Sequence, residues 1–370
     1  MFESSLNNEI TDLLKSKGYL SGDNGSISNV QYFSNIDDEV FSLYNGVGVR
    51  INHQSVIIEL IGKDCLDFLH RITTNSTLYL SQDELVKTIF TNEKGRIIGL
   101  AEIINLGDKH WLKTERYFKD KIIAWINRYV ITDDVNIVDV SNNYAVIDFY
   151  GPQKFSFIEW LFNSQNISFK SKKIQKIIIE DFDAYLYSSE IDSSNVTPLF
   201  IIIHNNHLAK LLSIIFDNKG PFDFNLIGNT AFESYRIEQG ILNAENELND
   251  NFNPHELNLS ELIDTKKGCY IGQEVLARLE TYDKVQKKIT GIEFSDDFQL
   301  GESNEIFDTN NEVAGYITSK TYSYKLKKHI GLGVIRKKYL SGENEIFYMT
   351  KQNEKIKVTV INLPFIKTIR

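Results

Sequence analysis

The chain changes character at Tyr282. Ahead of it, strand-like runs and amphipathic helical stretches follow one another in mixed order. Beyond it only short strand-like runs remain, at residues 289–294, 306–307, 312–319, 330–335, 345–349 and 355–361, separated by turns. Even spacing of short strands predicts a small all-β barrel at the C-terminus. Mixed strands and helices upstream predict α+β layers rather than a doubly wound parallel sheet.

Upstream, Ile10, Leu13 and Leu14 mark a helix over 7–17, and a Gly/Ser/Asn loop covers 18–30. Strands are expected at 39–43, 47–51 and 56–60. Asp64 is placed to cap a helix whose apolar face is Cys65, Phe68, Leu69 and Ile72. Strands 85–91 and 97–103 are joined by Asn92-Glu93-Lys94-Gly95, a hairpin-like turn. A strand at 110–113, a helix at 118–129 and strands at 135–140 and 144–149 lead to a break at Gly151-Pro152. Helices at 154–162 and 206–216 then flank strands at 176–180, 184–187 and 199–204. Thr230-Ala231-Phe232-Glu233 has the pattern of a capping box, opening a helix that runs through Arg236 and stops at Gly240. Residues 242–259 are polar and irregular, a length of loop that is often functional. The expected division is an N-terminal helix and loop (1–30), two α+β subdomains (31–283) and the barrel (284–370).

Composition removes several classes of function. A net charge of −10 argues against a general nucleic-acid binder. Two cysteines without a CxxC pair support neither a disulfide framework nor a cysteine-built zinc site. No apolar run reaches the length of a membrane span and the N-terminus lacks a secretory signal, so a cytoplasmic protein is expected. Phosphate-binding loops, dinucleotide fingerprints, paired-histidine metal motifs and nucleophile elbows are all missing, and no metal site is expected.

One stretch stands out chemically. Lys266-Lys267-Gly268-Cys269-Tyr270-Ile271-Gly272-Gln273-Glu274 packs a thiol, a phenol, an amide, a carboxylate, two lysines and two glycines into nine residues. The glycines suggest an unusual backbone or a close approach. Cys269 falls in a turn ahead of a helix N-terminus, where the dipole and the lysines favour a thiolate. A buried inert cysteine is the plain alternative. Cys65, on the apolar face of its helix, reads as core.

Lys267-Gly268-Cys269-Tyr270-Ile271-Gly272-Gln273-Glu274 resembles the signature octapeptide of the YgfZ-type folate-binding proteins, in the superfamily of the glycine-cleavage T protein, the aminomethyltransferase. Similar segments run from about residue 55 to the end. They include Gly62-Lys63-Asp64, Thr73-Thr74-Asn75, Lys94-Gly95-Arg96, Tyr150-Gly151-Pro152, Arg236-Ile237-Glu238-Gln239-Gly240, Pro254-His255-Glu256 and Gly315-Tyr316-Ile317. The resemblance implies a three-domain ring with mixed or antiparallel sheets, around a central channel that takes tetrahydrofolate or a one-carbon derivative. It implies Arg236, Lys267, Tyr270 and Gln273 as folate-binding residues and Cys269 as the candidate reactive thiol. Iron–sulfur proteins or their assembly factors are the implied partners.

One departure separates the branches of that superfamily. In the aminomethyltransferase an Asp-Asp pair, one of them catalytic, follows the glycine hairpin; here Gly99 and Leu100 occupy those positions and the next carboxylate is Glu102. The transferase's acidic pteridine ligand is also missing around Thr197-Pro198-Leu199-Phe200. Transfer of an aminomethyl group needs an acid or base at the folate nitrogen. Three readings stay open: a folate-binding accessory factor for iron–sulfur proteins, a true folate-dependent aminomethyltransferase, and a non-catalytic partner-binding module.

Overall fold

A computed structural model describes residues 2–19, 27–163, 167–190, 196–295, 304–350 and 354–367, with side chains from residue 8 onward. Two sheets and a closed barrel make up its frame. The six-stranded sheet has the order Phe224–Leu226, Val47–Ile51, Tyr144–Tyr150, Leu199–His204, Phe182–Ser188, Lys173–Ile179. Only its first pair is parallel. The five-stranded sheet runs Leu85–Thr91, Ile97–Asn105, His110–Glu115, Ser55–Ile61, Asn136–Asp139, all antiparallel. The barrel closes in the order Lys287–Phe294, Lys328–Arg336, Val313–Ser323, Glu305–Asp308, Ile346–Met349, Lys355–Ile361. The expected α+β architecture with a C-terminal barrel is the observed one.

Each sheet is covered on one face by helices, because its strands are apolar on both faces and neither face can be left wet. Helices Phe2–Ser16, Lys154–Leu161 and Leu208–Asp217 pack Leu14, Phe157 and Leu212 on the first sheet. Helices Cys65–Ile72 and Arg116–Tyr129 bring Phe68, Leu69 and Ile122 onto the second, and this core continues into the barrel through Ile289, Ile330 and Leu332. The remaining faces meet each other, Ile57, Ile104 and Trp111 against Val146, Tyr187 and Ile202. Each such large side chain, fully buried, contributes about 1.5–3 kcal/mol.

The first sheet takes strands from both sides of Gly151-Pro152, so that break ends a strand without separating two sheets. Residues 39–43 are not a strand: they lie within the helix Ile36–Asn45, whose N-cap Asn35 accepts from the Asp37 N–H at 3.1 Å. An N-cap with Asp37, Asp38 and Glu39 in the first turn is the signal that a five-residue window misses. The capping box at Thr230 does not form either. Helix Asn229–Glu238 starts two residues earlier, with Gly228 as N-cap, and Glu233 turns to Arg236. The Gly228 N–H donates instead to Glu39, whose buried carboxylate also accepts from Phe33 and Ser34. Asp64 holds the N-cap position of its helix but accepts from the Asp134 N–H rather than from the helix. Of the expected loop over 18–30, residues 20–26 lie outside the described residues, and Ile27–Asn29 is a single 3-10 turn.

Candidate functional site

The units of the fold meet around a cavity of about 530 Å³, a size typical of small-molecule sites. The strand Val47–Ile51 supplies Arg50 to its wall, and the turn after it His53. The end of His110–Glu115 supplies Glu115, and the next helix Tyr117. Helix Asn229–Glu238 supplies Phe232, Glu233 and Arg236; the following loop Asn243, Ala244 and Glu245; the barrel Thr321. Residues 28–31 close one side.

Arg236 lines this cavity, and its guanidinium is heavily committed. It forks onto the Glu233 carboxylate, donates to Ser319 Oγ at 2.8 Å and to the Ile241 carbonyl at 3.3 Å, and lies 3.7 Å from Glu247. Ser319 in turn donates to Glu247 at 2.7 Å. Arg236 and Glu247 are fully buried, so this knot ties helix, loop and barrel together at the cavity wall.

Sequence reasoning passed over Arg50 and Glu115. Arg50 lies over the Phe232 ring, 4.0 Å from its centre, and makes no ion pair among the described residues. The Glu115 carboxyl is pushed up by burial, against the pull of Lys113 and Arg50, and among the described residues its hydrogen-bonding contact is with the Ala244 backbone. Burial, reinforced by Arg50 and Arg116, holds His53 down at about 4, and its Nε2 has no partner among the described residues. A lone cation in the apolar run Val47-Gly48-Val49-Arg50-Ile51 was the available sign for Arg50. Nothing local marked Glu115.

Strand Ile97–Asn105 presents no acid to the cavity. A Cβ at Gly99 would stand 2.9 Å from two Ile122 side-chain carbons, so an aspartate there would push into the side chain of the helix packed behind it. Glu102 lies between the sheets, paired with Lys113 at 3.0 Å and accepting from the Tyr187 hydroxyl at 2.7 Å and from Ser189. Burial alone would raise this carboxyl, but Lys113, Lys87 and the two hydroxyls hold it at about 2.

The octapeptide lies elsewhere: Lys267, Cys269, Tyr270 and Gln273 do not line the cavity. Buried Lys267 donates its ammonium to the carbonyls of His70, Thr73 and Asn75, at 2.5, 2.6 and 2.8 Å. His70 lies in the last turn of the helix Cys65–Ile72, Thr73 is its C-cap and Asn75 follows, so Lys267 acts as a C-terminal cap. Burial lowers Lys267 to about 7, while the carbonyls favour the charged form. Tyr270 is buried beside Lys267, its phenol pushed up to about 12 by burial.

The Asn92–Gly95 turn packs against the other side of the octapeptide. Thr91 donates to the Ile271 carbonyl at 2.6 Å, and Leu276 packs on Gly95. Gly272, at φ +85°, caps the helix Gln273–Thr281 with its α-carbon against the Asn92 carbonyl; a Cβ at Gly268 would meet nothing, and that residue needs no special backbone. Gln273 is the first, half-buried residue of that helix. Cys269 is exposed, whereas Cys65 is buried, with its thiol pushed up to about 11 by burial. His255, bonded to Ser260 and to the Leu276 carbonyl, is structural. Among the described residues no cluster could hold a metal ion, and no helix is long and apolar enough to cross a membrane.

Comparison with known proteins agrees with this architecture. Residues 10–267 match the family model described as the GCVT N-terminal domain, and residues 287–367 the glycine cleavage T-protein C-terminal barrel domain. The chain is similar to an aminomethyltransferase of Thermosipho melanesiensis, 27% identical over 352 residues, covering 91% of this chain and 90% of that one. It is also similar to a putative chloroplastic transferase of Arabidopsis thaliana, 26% identical over 319 residues, covering 86% and 72% respectively. The crystal structure of the glycine cleavage system aminomethyltransferase T from Bartonella henselae superposes with a TM-score of 0.81 over 97% of both chains, at 15% identity.

Proposed function

The chain belongs to the glycine-cleavage T-protein family, and from that premise we propose that it binds tetrahydrofolate, or a one-carbon derivative, in the cavity and serves as an accessory factor for iron–sulfur proteins. The folate half of this reading is supported by the family and by the walls of the cavity. Phe232 and Tyr117 offer aromatic faces, Arg50 an unpaired cation and Glu115 an acceptor. These residues suit a flat heteroaromatic ligand with hydrogen-bond donors at one end and carboxylates at the other.

The accessory half rests on one observation: strand Ile97–Asn105 has no acid free to serve the folate nitrogen, since Gly99 abuts Ile122 and Glu102 is locked between the sheets. The exposed thiol of Cys269 is then the group open to a client protein. A single cysteine is too few to hold a cluster, so any role there is transient. Calorimetric titration with tetrahydrofolate tests the first half; no saturable heat at millimolar ligand removes it. The Cys269→Ala variant tests the second. It should fold normally yet fail to complement a strain lacking its own homologue, and full complementation makes Cys269 dispensable.

A second reading, folate-dependent aminomethyl transfer, is favoured by the names of the relatives that align over nine-tenths of their length. Methylene-tetrahydrofolate formed from an aminomethyl donor would select it over the accessory role.

A further inference from the structure

The cavity holds three carboxylates, and they differ in what they have left to give. Glu233 is spent on the Arg236 guanidinium, and Glu245 is exposed to solvent. Glu115 is partly buried and keeps one backbone contact, with Ala244, although an ionised carboxylate offers about four acceptor positions. Desolvating such a group is unfavourable unless donors replace the lost water. Among the described residues no side chain makes that replacement, which leaves those acceptor positions open to a ligand.

Resting on the folate reading above, we propose that Glu115 is the specificity-determining acceptor of the cavity, taking two neighbouring N–H donors such as the 2-amino and ring N–H groups of a 2-amino-4-oxopyrimidine. Geometry supports this placement. Glu115 ends the strand His110–Glu115 and stands at the N-cap position of the helix Arg116–Tyr129, so its backbone is fixed from both sides. Two donors on one planar edge match the two oxygens of a carboxylate, the arrangement that makes paired charge-assisted hydrogen bonds strong and orienting. The backbone of Ala244, which also lines the cavity, holds the carboxyl and leaves its remaining acceptor sites for the ligand.

A pH dependence follows. Its sign comes from the neutral pyrimidine ring, whose N–H donors need the ionised form of Glu115. Burial raises this carboxyl while Lys113, Arg50 and Lys87 lower it, and Arg236, Glu233, Glu245 and His53 share the cavity. Affinity should therefore rise with pH as Glu115 loses its proton. His53, held at about 4, also changes charge on the acid side. The His53→Gln variant run in parallel assigns the limb to one group or the other.

The experiment measures tetrahydrofolate binding by calorimetry, and alongside it an analogue in which hydrogen replaces the 2-amino group. Wild type should bind tetrahydrofolate and lose about tenfold or more on the analogue; Glu115→Gln should weaken tetrahydrofolate by at least that factor and flatten the pH limb, with His53→Gln keeping it. The Glu115→Gln variant should also bind both compounds alike. Wild type that binds both compounds equally overturns the inference without any variant having to fold. So does a folded Glu115→Gln that still discriminates them. If wild type binds neither compound, the folate reading falls and this inference with it. A melting curve for Glu115→Gln separates loss of binding from loss of fold.

Discussion

The cavity and the octapeptide loop concentrate polar chemistry in opposite ways. The loop is dense in sequence and spends several of its groups on holding itself in place: Lys267 caps a helix, Gly272 permits a tight approach and Tyr270 is buried, while Lys266, Cys269 and Glu274 are left to solvent. The cavity is dispersed in sequence, from residue 28 to residue 321, and retains groups with unfilled valence in Arg50, Glu115 and His53. Density of functional side chains in a sequence thus reports local constraint as readily as it reports chemistry.

The comparison can be broken most severely on the cavity side. Arg236→Met should cost about 5 kcal/mol in chemical denaturation, because it leaves Glu247 buried without its cation and unties helix, loop and barrel. Glu102→Gln should cost about 3 kcal/mol by stranding Lys113 between the sheets. This second case has a pH signature. Glu102 sits at about 2 in the folded state against an ordinary 4.5, so its contribution is complete above about pH 4.5 and is lost as pH falls towards 2. The stability gap between wild type and Glu102→Gln should close over that window, as read from urea midpoints at successive pH values.

On the loop side the effects should be smaller. Lys267→Met removes the ammonium from three carbonyls and should cost about 2 kcal/mol. Gly272→Ala should cost about 1–3 kcal/mol through its left-handed backbone and the clash with Asn92, whereas Gly268→Ala should stay within about 0.5 kcal/mol. Equal penalties at the two glycines would mean that the loop packs differently. Cys269→Ala should be thermally silent to within about 0.5 kcal/mol. In native protein a thiol reagent should modify Cys269 quickly and Cys65 only on unfolding, which peptide mapping would show.

Much of the architecture was legible because periodicity is local. The barrel strands, the helix through Cys65, Phe68, Leu69 and Ile72, and the Asn92–Gly95 hairpin each announce themselves within ten or so residues. The helix Ile36–Asn45 was misread over too short a window, its cap lying outside it. Thr230 looked like a cap because the spacing to Glu233 fits, but the nearby Arg236 competes for the same carboxylate. Of the site, Arg236 could be named from sequence, while its engagement with Ser319 and Glu247 could not.

Sequence alone determined the family, the α+β body with its barrel, and the absence of an acid at Gly99-Leu100, since each is carried by adjacent residues. Only the tertiary structure decided where the octapeptide sits. It spent Lys267 on the carbonyls of His70, Thr73 and Asn75, nearly two hundred residues away, and left Cys269 facing water. It also assembled Arg50, Glu115 and Phe232 around one cavity. The reason is physical: a side chain's chemistry depends on which groups have already claimed its hydrogen bonds and charge, and those claimants come from distant parts of the chain.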